Sequence, residues 1–223
     1  MCVTPMNDIE TALLKLFEGE DPSPKAHFSP EVNARLREAP YWESTSPTAS
    51  EKVRYADAMR LLDAAQRAST RSQRITWLNK AADAFSASHA SRAACKDGCD
   101  HCCHIPVKLS QAEAAFLGKA IGLAPTPASE LSQTPWDQAP MSPCTFLEAG
   151  HCSVYVNRPA VCRTHMNMDR DDLLCRLVPG LDIPVPYADT RAFAFVSMHI
   201  AGEGEWADIR QWFPRAASKA GVP

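Results

Sequence analysis

A mainly α fold, with helices packed around an irregular cysteine-rich centre, is what this sequence predicts. Three observations carry the prediction. Apolar residues recur at helical spacing, with capping signals, through residues 1–92. A capping-box pattern, Ser110 with Glu113, opens a further helix beyond them. Eight of the nine cysteines fall between Cys95 and Cys175, in segments broken by proline and glycine.

The elements follow in order. Ile9–Gly19 reads as a short helix after Asn7 or Asp8, with Leu13, Leu14, Leu16 and Phe17 as its apolar stripe. Ser29 followed by Pro30 is a favoured cap and first-turn pair for a second helix. Residues 50–68 are mostly good helix formers. The next helix, from Arg71, sets Ile75, Leu78, Ala82 and Phe85 on one side. Single amphipathic helices are marginal alone, so these require a partner surface. Ile105–Leu109 suits a short extended piece, and the helix from Gln111 should stop at Gly122. Residues 124–143 hold five prolines and read as a loop. Residues 150–159 suit a turn and a short strand or irregular segment, and 177–190 an irregular crossing. A helix capped by Asp189 and Thr190 should follow. The chain then closes in a short helix, docked by Trp206, Ile209, Trp212 and Phe213. The expected division is a helical N-terminal extension, 1–92, and a cysteine-cluster domain, 93–223, with C-terminal docking helices.

Composition narrows the partners. The chain of 223 residues is 45% apolar and 22% charged, which suits a folded core. A net charge of −3 gives no basic stripe for nucleic acid. The N-terminus lacks the basic start and apolar run of a secretory signal, and no run approaches the roughly 20 apolar residues of a membrane span. The expectation is a cytoplasmic protein that binds neither membrane nor nucleic acid.

In reducing cytosol, clustered thiols more often bind metal or do redox work than form disulfides. Cys95, Cys99, Cys102 and Cys103 lie within nine residues, and as thiolates they would repel one another without a cation. Gly98, just before Cys99, suits a ligand loop that needs positive φ. Adjacent Cys102 and Cys103 project differently, which suits two metal centres or two corners of one polynuclear cluster. Cys144, Cys152, Cys162 and Cys175 are too spread to form a site alone. The two blocks are therefore expected to meet and share ligands, with eight thiols enough for two four-thiolate sites.

Residues 95–103, CKDGCDHCC, followed by residues 144–165, CTFLEAGHCSVYVNRPAVCRTH, resemble the YkgJ-type or CxxCxxCC family of zinc- or iron-chelating proteins. Cys144 with Phe146 and Leu147, Cys152 with Tyr155, Arg158 with Pro159, and Cys162 with Arg163 each match a family element. The first cysteine spacing is three residues rather than two, and the resemblance spans residues 90–215. It implies metal binding by Cys95, Cys99, Cys102, Cys103, Cys144, Cys152, Cys162 and Cys175. Relatives of the motif occur in a flagellin lysine methylase associated with an iron–sulfur cluster, but no glycine-rich nucleotide loop here supports methyl transfer.

An iron–sulfur cluster of the 4Fe–4S type is favoured over zinc, because the Cys102–Cys103 pair suits a cluster and Arg158 and Arg163 can balance its charge or hold ligand-loop carbonyls. His101, His104 and His165 lie beside the thiols and are expected to support rather than ligate, as are His151 and His199. Phe146 and Tyr155 read as apolar cover. The functions this allows are electron transfer or metal-dependent modification of a protein or peptide partner. The alternatives are a zinc-stabilised interaction module and a metal-handling chaperone.

Overall fold

The computed structural model describes residues 28–38, 48–132, 141–178 and 183–215. The helix expected at Ile9–Gly19 lies outside them. Among the described residues there are seven α-helices and two small antiparallel strand pairs, so the fold is mainly α.

Helix α1, Pro30–Glu38, is followed by α2, Ala49–Arg67, and α3, Arg71–His89. Reciprocal capping boxes start the long pair, Thr48 with Glu51 and Thr70 with Gln73, so each satisfies two otherwise orphaned N–H groups. The connection is short, and Arg54 near the start of α2 donates to the carbonyl of Ala87 near the end of α3 at 3.3 Å. The two helices are therefore antiparallel. Ile75, Leu78, Ala82 and Phe85 are all buried, as their spacing predicts. They meet Ala58 and Leu62 of α2, together with Phe193, Val196 and Ile200, in the first of three apolar clusters.

Glu51 also closes this end of the hairpin. Its carboxylate accepts from Thr48 N–H at 2.5 Å, from the Ser91 hydroxyl at 3.0 Å and from Arg92 at 2.9 Å. The Thr48 N–H leads in holding its pKa down to about 2, against burial. A free glutamate titrates near about 4.3, so this stabilisation is complete above that value and fades as pH falls through it toward 2. Replacing Glu51 by Gln should cost about 1–2 kcal/mol at neutral pH, the scale of hydrogen bonds to a charged group. Urea unfolding of both proteins should show that difference shrinking below about pH 4. A pH-independent difference would remove the charge from the explanation.

Strand β1, Lys108–Ser110, leads directly into α4, Gln111–Ile121, through the Ser110–Glu113 capping box, and Gly122 ends the helix as expected. Further on, β2, Leu147–Glu148, and β3, His151–Cys152, form a hairpin. Its two turn residues, Ala149 and Gly150, both have positive φ, 48° and 79°, as a tight hairpin turn demands. Helix α5, Ala160–Thr164, and helix α6, Arg191–Ala201, complete the first cluster. Asp189 supports the start of α6 by accepting from Arg191 N–H at 3.1 Å, while the Thr190 side chain makes no cap bond.

The C-terminal stretch differs from the single short helix expected. Residues Trp206–Asp208 form strand β4, which pairs with β1 so that Leu109 faces Ala207, and only Ile209–Trp212 coil, as α7. The chain is extended there because Ser110, Leu109 and Lys108 supply backbone partners that a local helix would forgo. The docking role holds: Ile209, Trp212 and Phe213 are buried, and the Trp212 indole N–H donates to Leu109 O at 3.0 Å. With Val107, Leu109, Leu117 and Phe146 they form the second cluster. The third joins Val32 and Leu36 of α1 to Leu174, Cys175, Ile183 and Val185. Helices from the first 92 residues are thus packed directly against the cysteine-bearing region.

Candidate metal centre

The first thiol block is a tight loop. Ala94 N–H anchors its start to Asn167 O at 2.9 Å, and Cys99 N–H closes a turn onto Lys96 O at 3.1 Å. Gly98 has φ 77°, the left-handed conformation expected of it, and a Cβ there would be strained. His101–Cys103 then form one turn of 3-10 helix. At about three residues per turn, this sets the side chains of Cys102 and Cys103 roughly a third of a turn apart.

The second block reaches the first through backbone. Cys144 N–H donates to Cys103 O at 2.7 Å. Cys152 sits opposite Leu147 in the hairpin, and Ser153 N–H returns to Phe146 O at 2.8 Å. Cys162 stands in the first turn of α5, behind Pro159. The backbones of the two blocks therefore join at Cys103 and Cys144. All eight cysteines are free thiols.

The sulfurs feel one another. Adjacent Cys102 and Cys103 titrate as a pair: their interaction raises the Cys102 thiol and lowers its neighbour, so the pair sheds its first proton readily and its second with difficulty. Burial, then repulsion from Cys95, pushes Cys175 up to about 12, with Cys99 adding to it and a bond from Tyr187 opposing it. Burial likewise raises Cys144 and Cys162, and repulsion from Cys103 and Cys152 adds to both. Protonated thiols are poor ligands, and a cation that binds them must displace these protons.

Arg158 is the cation common to the region. It opposes the upward shift of Cys95, Cys152 and Cys162. Its guanidinium stacks 3.7 Å from the Tyr155 ring centre. Arg163 instead holds the ligand loops: it donates to Arg158 O at 2.6 Å and Val156 O at 2.7 Å, and pairs with Asp83 at 2.5 Å. Phe146 provides the apolar cover expected, 5.4 Å from Phe213 between ring centres. Tyr155 does not; it is 60% exposed, its ring occupied by Arg158 rather than by the core.

The histidines are engaged elsewhere. His104 Nδ1 donates to Asp100 O at 3.1 Å, and His101 faces Asp172 at 3.6 Å. His151 lies 4.0 Å from Asp97 on the surface, and His199 is exposed on α6. His165 stacks on Tyr187 with 3.9 Å between ring centres. Burial lowers its pKa to about 4, and its Nε2 has no hydrogen-bond partner among the described residues.

Two arginines that sequence reasoning missed bind the blocks together. Arg210, beside the buried Asp208, donates to Cys103 O at 3.2 Å, Ile105 O at 3.0 Å and Ser142 O at 2.5 Å. Arg215 donates to Cys144 O at 2.9 Å and Leu147 O at 2.8 Å. Their sequence signal was slight: Asp208 and Gln211 at capping-box spacing, just ahead of the anchoring tryptophan.

Among the described residues, no group of three or more histidine, cysteine, aspartate or glutamate side chains is placed to hold a metal ion. The donor set nevertheless fits zinc or iron: soft sulfur ligands in excess, on loops whose backbone is already fixed. Binding a metal requires loss of the thiol protons.

Fold and site together define a mainly α protein with a crowded, metal-compatible thiol centre. Residues 94–178 match the model of the CxxCxxCC family, described as a "putative zinc- or iron-chelating domain". That span contains all eight thiols and excludes Arg210 and Arg215. No curated protein and no solved structure matches the chain. Among the described residues, no helix is long and apolar enough to cross a membrane.

Proposed function

We propose that this is a cytoplasmic metal-binding protein. Cys95, Cys99, Cys102, Cys103, Cys144, Cys152, Cys162 and Cys175 hold iron–sulfur chemistry of the 4Fe–4S type. Its role is electron transfer or metal-dependent modification of a protein or peptide partner. The observation that supports the reading is the junction of the two blocks: Cys144 N–H donates to Cys103 O, and Cys103, Cys144, Cys152 and Cys162 pack against one apolar cluster. A thiol-ligated cluster is anionic, and Arg158 stands beside thiols from both blocks, as charge balance requires. Arg163 orders the loop that presents Cys162. When bound, a cluster would supply one-electron chemistry; the chain's own part is to present the thiolates and shield them with Phe146 and Phe213.

A second reading is favoured by one observation. Tyr155, Val156 and Val161 are exposed together beside the thiols, which suits a zinc-stabilised module whose work is docking. Anaerobic purification followed by iron, zinc and acid-labile sulfide analysis separates the two. Iron with matching sulfide and a broad visible absorption is expected. Stoichiometric zinc without iron or sulfide would overturn the cluster assignment and leave the module.

A further inference from the structure

The start of α3, one face of α4 and the turn after α6 border a cleft of about 420 Å³, within the size range of small-ligand sites. Its floor is the outer side of the first apolar cluster. Ile75 is 3% exposed, and Ala112 and Phe116 pack against that cluster while still lining the cleft. Ala115 extends the apolar wall. Residues three and four apart share one face of a helix, so these side chains form a continuous stripe along α4, from Gln111 to Lys119.

Positive charge stands at the two ends of the stripe. Gln111 N–H donates to Glu205 O at 2.8 Å, which holds the 202–205 turn at the start of α4. Arg71 reaches the same turn: its guanidinium lies 3.9 Å from where a side chain on Gly202 would begin. Lys119 follows Gln111 by two helical turns, about 12 Å along the axis. Neither cation has an ion-pair partner among the described residues, although the chain carries a net charge of −3. Glu203 and Glu205 flank Gly204, but no carboxylate lines the cleft.

From this apolar trough with a cation at each end, we propose that the cleft binds a linear organic dianion, two carboxylates joined by an aliphatic chain close to decanedioate in length. One carboxylate pairs with Arg71, whose planar fork accepts it bidentately. The other pairs with Lys119, and the methylenes between them cover Ile75, Ala115 and Phe116. Burial of those methylenes supplies the affinity, because exposed ion pairs contribute little by themselves. No thiol lines the cleft, so its ligand is independent of what the cysteines hold.

Equilibrium dialysis of the full chain against radiolabelled decanedioate tests this, and one site per chain is expected. Three competitors separate the contributions. The diol of equal length lacks the charges, succinate lacks the apolar middle, and decanoate lacks one carboxylate; each should compete more weakly than unlabelled decanedioate. Arg71→Gln should weaken binding by up to about fivefold, the limit for an exposed ion pair. In Lys119→Gln, decanoate should compete as well as decanedioate, since the second charge has lost its partner. Ala115 is exposed, so Ala115→Trp should fill the cleft with helical circular dichroism retained, and abolish binding. Equal competition by the diol in the natural chain would overturn the charge assignment. Unchanged binding in Ala115→Trp would overturn the location. Binding of an Asp-Leu-Leu-Asp peptide but not of decanedioate would give the cleft to a protein partner and overturn the small-ligand assignment, and binding of neither would overturn the site altogether.

Discussion

Replacing Arg210 by Met should lower stability by about 3–5 kcal/mol and loosen metal binding by the thiols of the second block. The size follows from what the guanidinium touches. It pairs with both carboxylate oxygens of Asp208, at 3.0 and 2.9 Å, and Asp208 is only 4% exposed. Removing one member of a buried pair leaves an uncompensated charge, and such losses run to about 3–5 kcal/mol. Four backbone carbonyls lose a donor at the same time, those of Cys103, Ile105, Ser142 and Pro143. Cys103 belongs to the first block and Ser142 leads into the second, so the substitution loosens the junction itself. Lys at this position keeps the charge but not the planar fork, and should recover part of the stability and little of the geometry. Thermal unfolding and metal content, measured on the three proteins together, check this. Unchanged metal content in a folded Arg210→Met protein would show that the loops hold their geometry without the clip.

The second large effect is at Arg35. Its side chain is 5% exposed and bonds Asp169, itself 2% exposed, at 2.9 Å, and both oxygens of Asp171 at 2.7 Å. The guanidinium holds the Asp171 carboxyl well below the usual carboxylate range, with help from Leu173 N–H. Arg35→Leu would leave Asp169 charged and enclosed, at a cost of about 3–5 kcal/mol. For a chain of this size that is a fall in Tm of roughly 10 °C. The consequence reaches the thiols through one residue. Asn167 Nδ2 donates to Asp171 O at 2.9 Å, while Asn167 N–H donates to Cys95 Sγ. Adding Asp169→Asn to Arg35→Leu removes the stranded charge and should restore about half of the loss. Differential scanning calorimetry of the single and double variants measures both steps; no recovery in the double variant would shift the cost from charge to packing.

The helices were legible because their signals are local. Ser110 and Glu113 lie three residues apart, and Gly122 follows the last turn they begin. The α3 stripe of Ile75, Leu78, Ala82 and Phe85 needs only its own spacing. The thiol set was legible from crowding and from its motif, and Gly98 from the turn it must make. What was not legible depends on partners far along the chain. Strand β4 is extended because β1, about a hundred residues earlier, offers it hydrogen bonds, and three residues show too little alternation to announce a strand. Arg210 acts on carbonyls, which carry no side-chain identity to read. Arg35 lies on an ordinary amphipathic helix, and only folding brings Asp169 and Asp171 to it.

The central claim is that these sulfurs are the metal's ligands. X-ray absorption at the edge of whichever metal the protein carries on anaerobic isolation tests it directly. A first shell of sulfur alone is expected, at about 2.3 Å. A shell dominated by oxygen or nitrogen at about 2.0–2.1 Å would contradict it, because the metal would then be held by carboxylates, histidines or water and not by the eight cysteines.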